Sequence, residues 1–234
     1  MKIHVGTSGY GYREWKGRFY PEKITPQEML RFYSERLGAV EINNTFYRMP
    51  TESLLTSWAA QVPDDFVFAL KSPQVITHRK RLKNADGETA RFLGTLPVLA
   101  EKAGPILFQF PASFRMDLRM MEHFLTLIPG DRLCAFEFRS RSPLDSAMAD
   151  LLRERGHSLV VADTDEHPAG EVLPAATWGY LRLRRSDYRS ADLARWREKI
   201  QSQPWERAFV FFKHEEKALG PEMAIRFQEL IHSA

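Results

Sequence analysis

The chain has 234 residues, with 33 basic and 30 acidic side chains and a formal net charge of +3 at pH 7. Hydrophobic residues make up 44% and charged residues 27%, a globular mixture that excludes disorder and fibrous repeats. A single cysteine, Cys134, excludes an internal disulfide and a thiolate metal cluster.

The first residues, Met1-Lys2-Ile3-His4-Val5-Gly6, carry no apolar signal-peptide core. No apolar run approaches the ~20 residues of a membrane helix, so the expectation is a cytoplasmic protein with no membrane contact. Short β-branched and aromatic runs then mark eight strands: Ile3–Gly6, Ala39–Asn43, Phe66–Lys71, Pro105–Phe110, Leu133–Phe138, Leu159–Asp163, Gly179–Arg184 and Ala208–Phe212. Amphipathic segments lie between most of them. One opens at Thr25-Pro26, a cap residue with proline at the first helical position. Others run near Thr51–Gln61, Gly87–Ala103, Asp117–Leu127, Pro143–Arg155, Ala191–Gln201 and Pro221–Ile231. Residues 164–177 hold two prolines and a glycine without a helical period, so that crossover reads as irregular loop.

Strands alternating with helices call for parallel pairing. The reading is α/β, a compact TIM-like (β/α)8 barrel forming one domain over residues 1–234, with an irregular crossover between the sixth and seventh strands. An open doubly wound sheet is the competing architecture.

Alternate strand residues face opposite sides. Val40 and Ile42 oppose Glu41, Asn43 and Thr45, while Phe66, Phe68 and Leu70 oppose Val67, Ala69 and Lys71. Ile106, Phe108 and Phe110 oppose Leu107 and Gln109, and Cys134, Phe136 and Phe138 oppose Ala135, Glu137 and Arg139. Leu181 and Leu183 oppose Tyr180, Arg182 and Arg184. With the bulky sets packed on helices, Glu41, Lys71, Glu137, Arg139, Arg182 and Lys213 point to one axis near the C-terminal mouth, where barrel enzymes carry their sites. A buried ion-pair network that fills the barrel accounts for the same pattern.

Positive charge is clustered. Residues 71–83 hold five basic side chains and no acid, and residues 182–199 hold seven basic and three acidic ones. Such patches attract phosphates, carboxylates or nucleic acid, or are solvated faces.

Several segments together resemble the YecE-like family, the domain of unknown function numbered seventy-two. They are Gly6-Thr-Ser-Gly-Tyr10 with Trp15 and Phe19-Tyr-Pro21, Val40-Glu-Ile-Asn-Asn-Thr-Phe-Tyr47, Phe68-Ala-Leu-Lys71 leading to Thr77-His78, and Leu107-Phe-Gln-Phe-Pro111. Phe136-Glu-Phe-Arg139, Asp163 and Tyr180-Leu-Arg182 complete the series, which spans nearly the whole chain in order. The resemblance implies a TIM-barrel-like fold and brings no established reaction with it. Two positions depart from the family pattern. Arg-x-His-Gly is replaced by Arg182-Leu183-Arg184-Arg185, and Phe-Asn-Asn by Phe212-Lys213-His214. Both add positive charge at the mouth and argue against one substrate shared by all members.

Glu41 and Glu137 are candidate acid/base carboxylates, with Lys71 or His78 as partner. Two carboxylates ~5–10 Å apart would suit glycoside hydrolysis, although Lys71 and Arg139 can simply neutralise them. Arg139, Arg182, Arg184 and Lys213 are candidates to hold an anion, and Asn43, Gln109, Tyr10 and Tyr47 to contact substrate. Tyr10, Tyr12, Trp15, Phe46 and Tyr47 either wall a pocket or pack the fold. The loop Gly6–Gly11 either offers N–H groups to an anion or needs positive φ, and it matches no P-loop or dinucleotide pattern. The cofactor is therefore unassigned. A divalent metal has weak ligand candidates in Asp163 and His214, without a recognised spacing. Cys134 reads as inert core, and His123 and His157 as helical residues without a chemical role.

The functional expectation is an enzyme for hydrolysis or proton transfer on an anionic, phosphorylated or nucleic-acid substrate at the mouth. The alternative is a non-catalytic protein that binds nucleic acid or an anionic ligand. Oligomeric state is left open by the sequence.

Overall fold

The computed structural model describes residues 1–115, 117–139, 146–169, 172, 175–213 and 218–233. Eight parallel strands close into a barrel in chain order, β1 Lys2–Ser8, β2 Ala39–Ile42, β3 Val67–Lys71, β4 Ala103–Phe110, β5 Cys134–Phe138, β6 Ser158–Asp163, β7 Trp178–Leu183 and β8 Arg207–Phe212. Closure is made by β1 pairing β8, with Lys2 opposite Arg207 and Thr7 opposite Phe212. The open doubly wound sheet is excluded by that pairing. Helices α1 Met29–Ser34, α2 Asn44–Tyr47, α3 Glu52–Ala59, α4 Asp86–Thr95, α5 Leu118–Thr126, α6 Ser146–Glu154, α7 Ser190–Gln201 and α8 Leu219–His232 follow the strands. Among the described residues of the β6–β7 crossover there is no helix, and no described helix is long and apolar enough to cross a membrane.

Two apolar layers follow from the strand parity. The outer one joins Val40, Ile42, Phe68, Leu70, Phe108, Phe136, Leu181 and Leu183 to the helices, with Cys134 buried among them. The inner one sets the small residues Ala39, Ala69 and Ala135 against Trp178, Tyr180, Phe209 and Phe211. Small residues on one wall leave room for aromatics from the other, which is how a barrel of this size fills itself. Gly6 belongs to the same economy of space, because a Cβ there would lie 1.8 Å from the Ala39 carbonyl oxygen.

Tyr33 fastens α1 to two strands at once. Its hydroxyl accepts from Thr7 N at 2.8 Å and Thr7 Oγ1 at 2.9 Å, and donates to Ala39 O at 2.8 Å. Phe19 meets its ring edge-on, and Trp15, Tyr20 and Phe32 pack with Phe19 in the same cluster, so the buried Trp15 is packing and not a pocket wall.

Some helix limits differ from the sequence reading. Thr25 spends its cap on Glu28, whose Oε2 accepts from Thr25 N at 2.9 Å and Thr25 Oγ1 at 2.6 Å. As a result α1 begins only at Met29. The segment expected as helix over Gly87–Ala103 stops at Thr95, where Pro97 forces a 3₁₀ run over Leu96–Lys102 broken at Ala100 (φ 47°). His157 is not helical: it is buried after Gly156 (φ 69°) at the start of β6. Thr45 belongs to α2 rather than to a strand, and its hydroxyl donates to Lys71 O at 2.6 Å.

Candidate functional site

Besides Ser8 at the end of β1, five strands carry a polar residue just beyond the inner apolar layer: Glu41 in β2, Lys71 in β3, Gln109 in β4, Glu137 in β5 and Arg182 in β7. Each follows an inward apolar residue two positions earlier, so the period of a strand is what assembles them. Arg182 is the hub. Its Nη2 donates to Glu41 Oε1 at 2.8 Å and its Nη1 to Glu137 Oε2 at 2.6 Å. The side chains of Arg182 and Glu41 are 1% and 0% exposed.

The two carboxylates are not equivalent. Glu41 is saturated: Oε1 also accepts from Ser8 Oγ at 2.6 Å and Asn43 Nδ2 at 3.3 Å, and Oε2 accepts from Tyr180 Oη at 2.8 Å. Glu137 Oε2 accepts from Gln109 Nε2 at 2.8 Å, while Oε1 faces Arg139 Nε at a looser 3.5 Å. Gln109 therefore orients its amide, turning Oε1 to Lys71 Nζ at 2.7 Å. The Lys71 ammonium lies 4.1 Å from the Phe46 ring centre, and His78 meets the same ring edge-on at 4.8 Å. His78 is presented by a π-helical turn, Val75–Arg79, and its Nδ1 is 2.9 Å from Thr77 Oγ1.

Burial works to raise both carboxyl pKa values, and Arg182 overrides it, holding Glu41 at about 2 and Glu137 below the usual range. Burial first, then Arg182, bring Lys71 down to about 8, against the opposing pull of Glu41 and Glu137. His78 is lowered by burial, then by Lys71, Arg139 and Arg81. Arg184 is lowered by burial and by Arg182. Lys71, His78 and Arg184 are thus each lowered in part by neighbouring cations. Among the described residues, Lys71 and Arg184 have no carboxylate at ion-pair distance.

The structure brings Glu41, Lys71, Gln109, Glu137, Arg139 and Arg182 into one connected network, with Asn43 at its edge. Arg139 is 47% exposed, and Arg184 and Lys213 are half-buried at the ends of β7 and β8. Tyr10 lines a separate cavity of about 410 Å³ with Gly9, Gly11, Tyr12, Arg13 and Asn43. Asn43 connects that cavity to Glu41. Tyr47 is 74% exposed and meets Phe46 edge-on at 5.1 Å, outside the buried layer.

Asp163 does not fit the metal role. Its Oδ1 accepts from Ala169 N at 2.8 Å and its Oδ2 from Tyr188 Oη at 2.8 Å, so it anchors the β6–β7 crossover. His214 lies outside the described residues, which contain no cluster of metal-ligating side chains. The two carboxylates are bridged by one guanidinium, which engages the pair that glycoside hydrolysis would need open to substrate. Ser8 and Tyr180 were missed as partners of Glu41. Tyr180 shares the inward parity of Arg182 and was legible on that ground, whereas Ser8 in a glycine-rich segment reads as loop.

Comparison with known proteins agrees with this architecture. The family model described as "Protein of unknown function DUF72" matches residues 4–234. The UPF0759 protein YecE of Escherichia coli strain K12 is 30% identical over 141 residues, which is 58% of this chain and 52% of that protein. Its counterpart in E. coli O157:H7 matches equally, so the match spans about half the length of these curated relatives. A DUF72 family protein from Thermotoga maritima superimposes with a TM-score of 0.86 at 25% identity, covering 99% of this chain and 100% of that one. A second, from Enterococcus faecalis V583, gives 0.83 at 18% identity over 98% and 95% of the two chains, a likeness of fold.

Proposed function

This chain belongs to the DUF72 family, and we propose that it is an enzyme that holds an anionic substrate at the C-terminal mouth and moves protons there through Lys71 and Glu137. The observation that supports this reading is the Lys71 ammonium, buried against Gln109 and Phe46 with no carboxylate partner among the described residues. A buried charge without a counterion is costly, and a substrate anion would relieve that cost. Arg139 is close enough to Lys71 to lower it, and Arg184 in turn lies near Arg139 and Arg182; arginine forks suit phosphate and carboxylate oxygens.

The roles divide by reach. Glu41, sealed and saturated, holds Arg182 and cannot touch a ligand, so it is a positioning residue. Glu137 keeps Oε1 loosely engaged and ionised, which fits a proton acceptor. Lys71, with a pKa of about 8, is uncharged in roughly a tenth of molecules at pH 7 and can give or take a proton. A small anion is favoured over nucleic acid, because Arg139 and Arg184 gather around the mouth where Lys71 is buried and do not extend along a stripe.

Calorimetry with inorganic phosphate tests this. Binding is expected for the native protein and several-fold weaker binding for Arg184→Ala. Equal, negligible binding by both would overturn it, and a steep salt dependence with short oligonucleotides would favour the non-catalytic nucleic-acid binder.

A further inference from the structure

We propose that Lys71 forms a covalent imine with an aldehyde or ketone that also carries a phosphate or carboxylate group. This rests on the anion-binding reading above and gives that site a substrate class. Lys71 ends β3 with its Nζ 2.7 Å from Gln109 Oε1 and 4.1 Å from the Phe46 ring centre, and its residue is 9% exposed. Neither partner is an anion, so no ion pair locks the nitrogen as ammonium. Lys80 and Lys102 differ: they pair with Glu88 at 2.7 Å and Asp64 at 3.2 Å. Attack on a carbonyl needs the uncharged amine, and burial among cations supplies a fraction of it near neutral pH. The Phe46 face that accommodates an ammonium also accommodates the iminium that replaces it. Arg139, close enough to Lys71 and Arg184 to depress both, would hold the substrate's anionic group.

The step balances without an added reagent. The carbonyl carbon forms a bond to Nζ and loses its bond to oxygen. Two of the three ammonium protons leave with that oxygen as water, and the single positive charge stays on nitrogen as iminium. The iminium acidifies the adjacent C–H, whose proton Glu137, joined to Lys71 through Gln109, would accept.

Borohydride trapping on the native protein tests the proposal, with dihydroxyacetone phosphate and pyruvate as probes and acetone as the uncharged control. The expected result is a reduced adduct on the Lys71 peptide, several-fold above acetone and absent in Lys71→Arg. Adducts spread over surface lysines, or equal labelling by acetone, would overturn it. In parallel, shielding of Lys71 from acetic anhydride by inorganic phosphate is measured. Shielding without an adduct sinks the imine alone. Absence of both sinks the anion site as well.

Discussion

Arg182 and Glu137 meet at 2.6 Å, Nη1 to Oε2, with both side chains essentially out of water. The same guanidinium reaches Glu41 at 2.8 Å, so one cation holds two anions above an apolar barrel core. Such an arrangement is sensitive to the loss of its centre. Arg182→Met leaves two buried carboxylates facing each other and should cost about 3–5 kcal/mol, read by chemical denaturation. Adding Glu41→Gln and Glu137→Gln to that variant should restore much of the loss, since no charge is then buried unpaired. An unchanged midpoint for Arg182→Met would show that the triad adds nothing to stability.

That triad was legible in the sequence because strand parity is a period of two, and Glu41, Glu137 and Arg182 each share a face with small or aromatic core residues. The mouth end of each strand was equally legible from position. Bond saturation was not. Glu41 and Glu137 look alike in sequence, and only the closing of β1 on β2 brings Ser8 onto Glu41 and silences it. Tertiary context likewise moved the start of α1, because Thr25 capped itself locally with Glu28.

Acid should erode stability in two pH windows. His4 and His157, held near 4 mainly by burial, favour the neutral form in the fold. Their folded pKa lies below the unfolded value near 6.5, so their contribution is complete above 6.5 and is lost as pH falls toward 4. Glu41, at about 2 against 4.5 unfolded, contributes above 4.5 and loses its share between 4.5 and 2. The second window is worth about 3 kcal/mol. Stability measured against pH should show that lower step in the native chain and a smaller one in Glu41→Gln.

Tyr33→Phe isolates the fastening of α1. It removes one hydroxyl and leaves Thr7 N–H and the Ala39 carbonyl without their partner in a buried setting. The expected loss is about 1–3 kcal/mol in the denaturation midpoint, with the barrel retained by circular dichroism. A neutral result would mean that water replaces the hydroxyl at both strands.

Lys71 should oppose folding while serving the site. Its folded pKa of about 8 lies below the ordinary 10.5, so the fold prefers the uncharged amine and carries a penalty when the group is protonated. That penalty is fully present below pH 8 and fades as pH rises toward 10.5, the sign expected when the unfolded state binds more protons. Lys71→Met fills the same space without a charge and should raise stability at pH 7 by about 1–3 kcal/mol, partly offset by the lost bond to Gln109. The gain should shrink when the two proteins are compared at pH 10. Phosphate binding should fall in the same variant, so stability and ligand affinity move in opposite directions. A Lys71→Met protein that is less stable at pH 7 would instead mark the ammonium as a structural member of the network, supported by Gln109 and the Phe46 face.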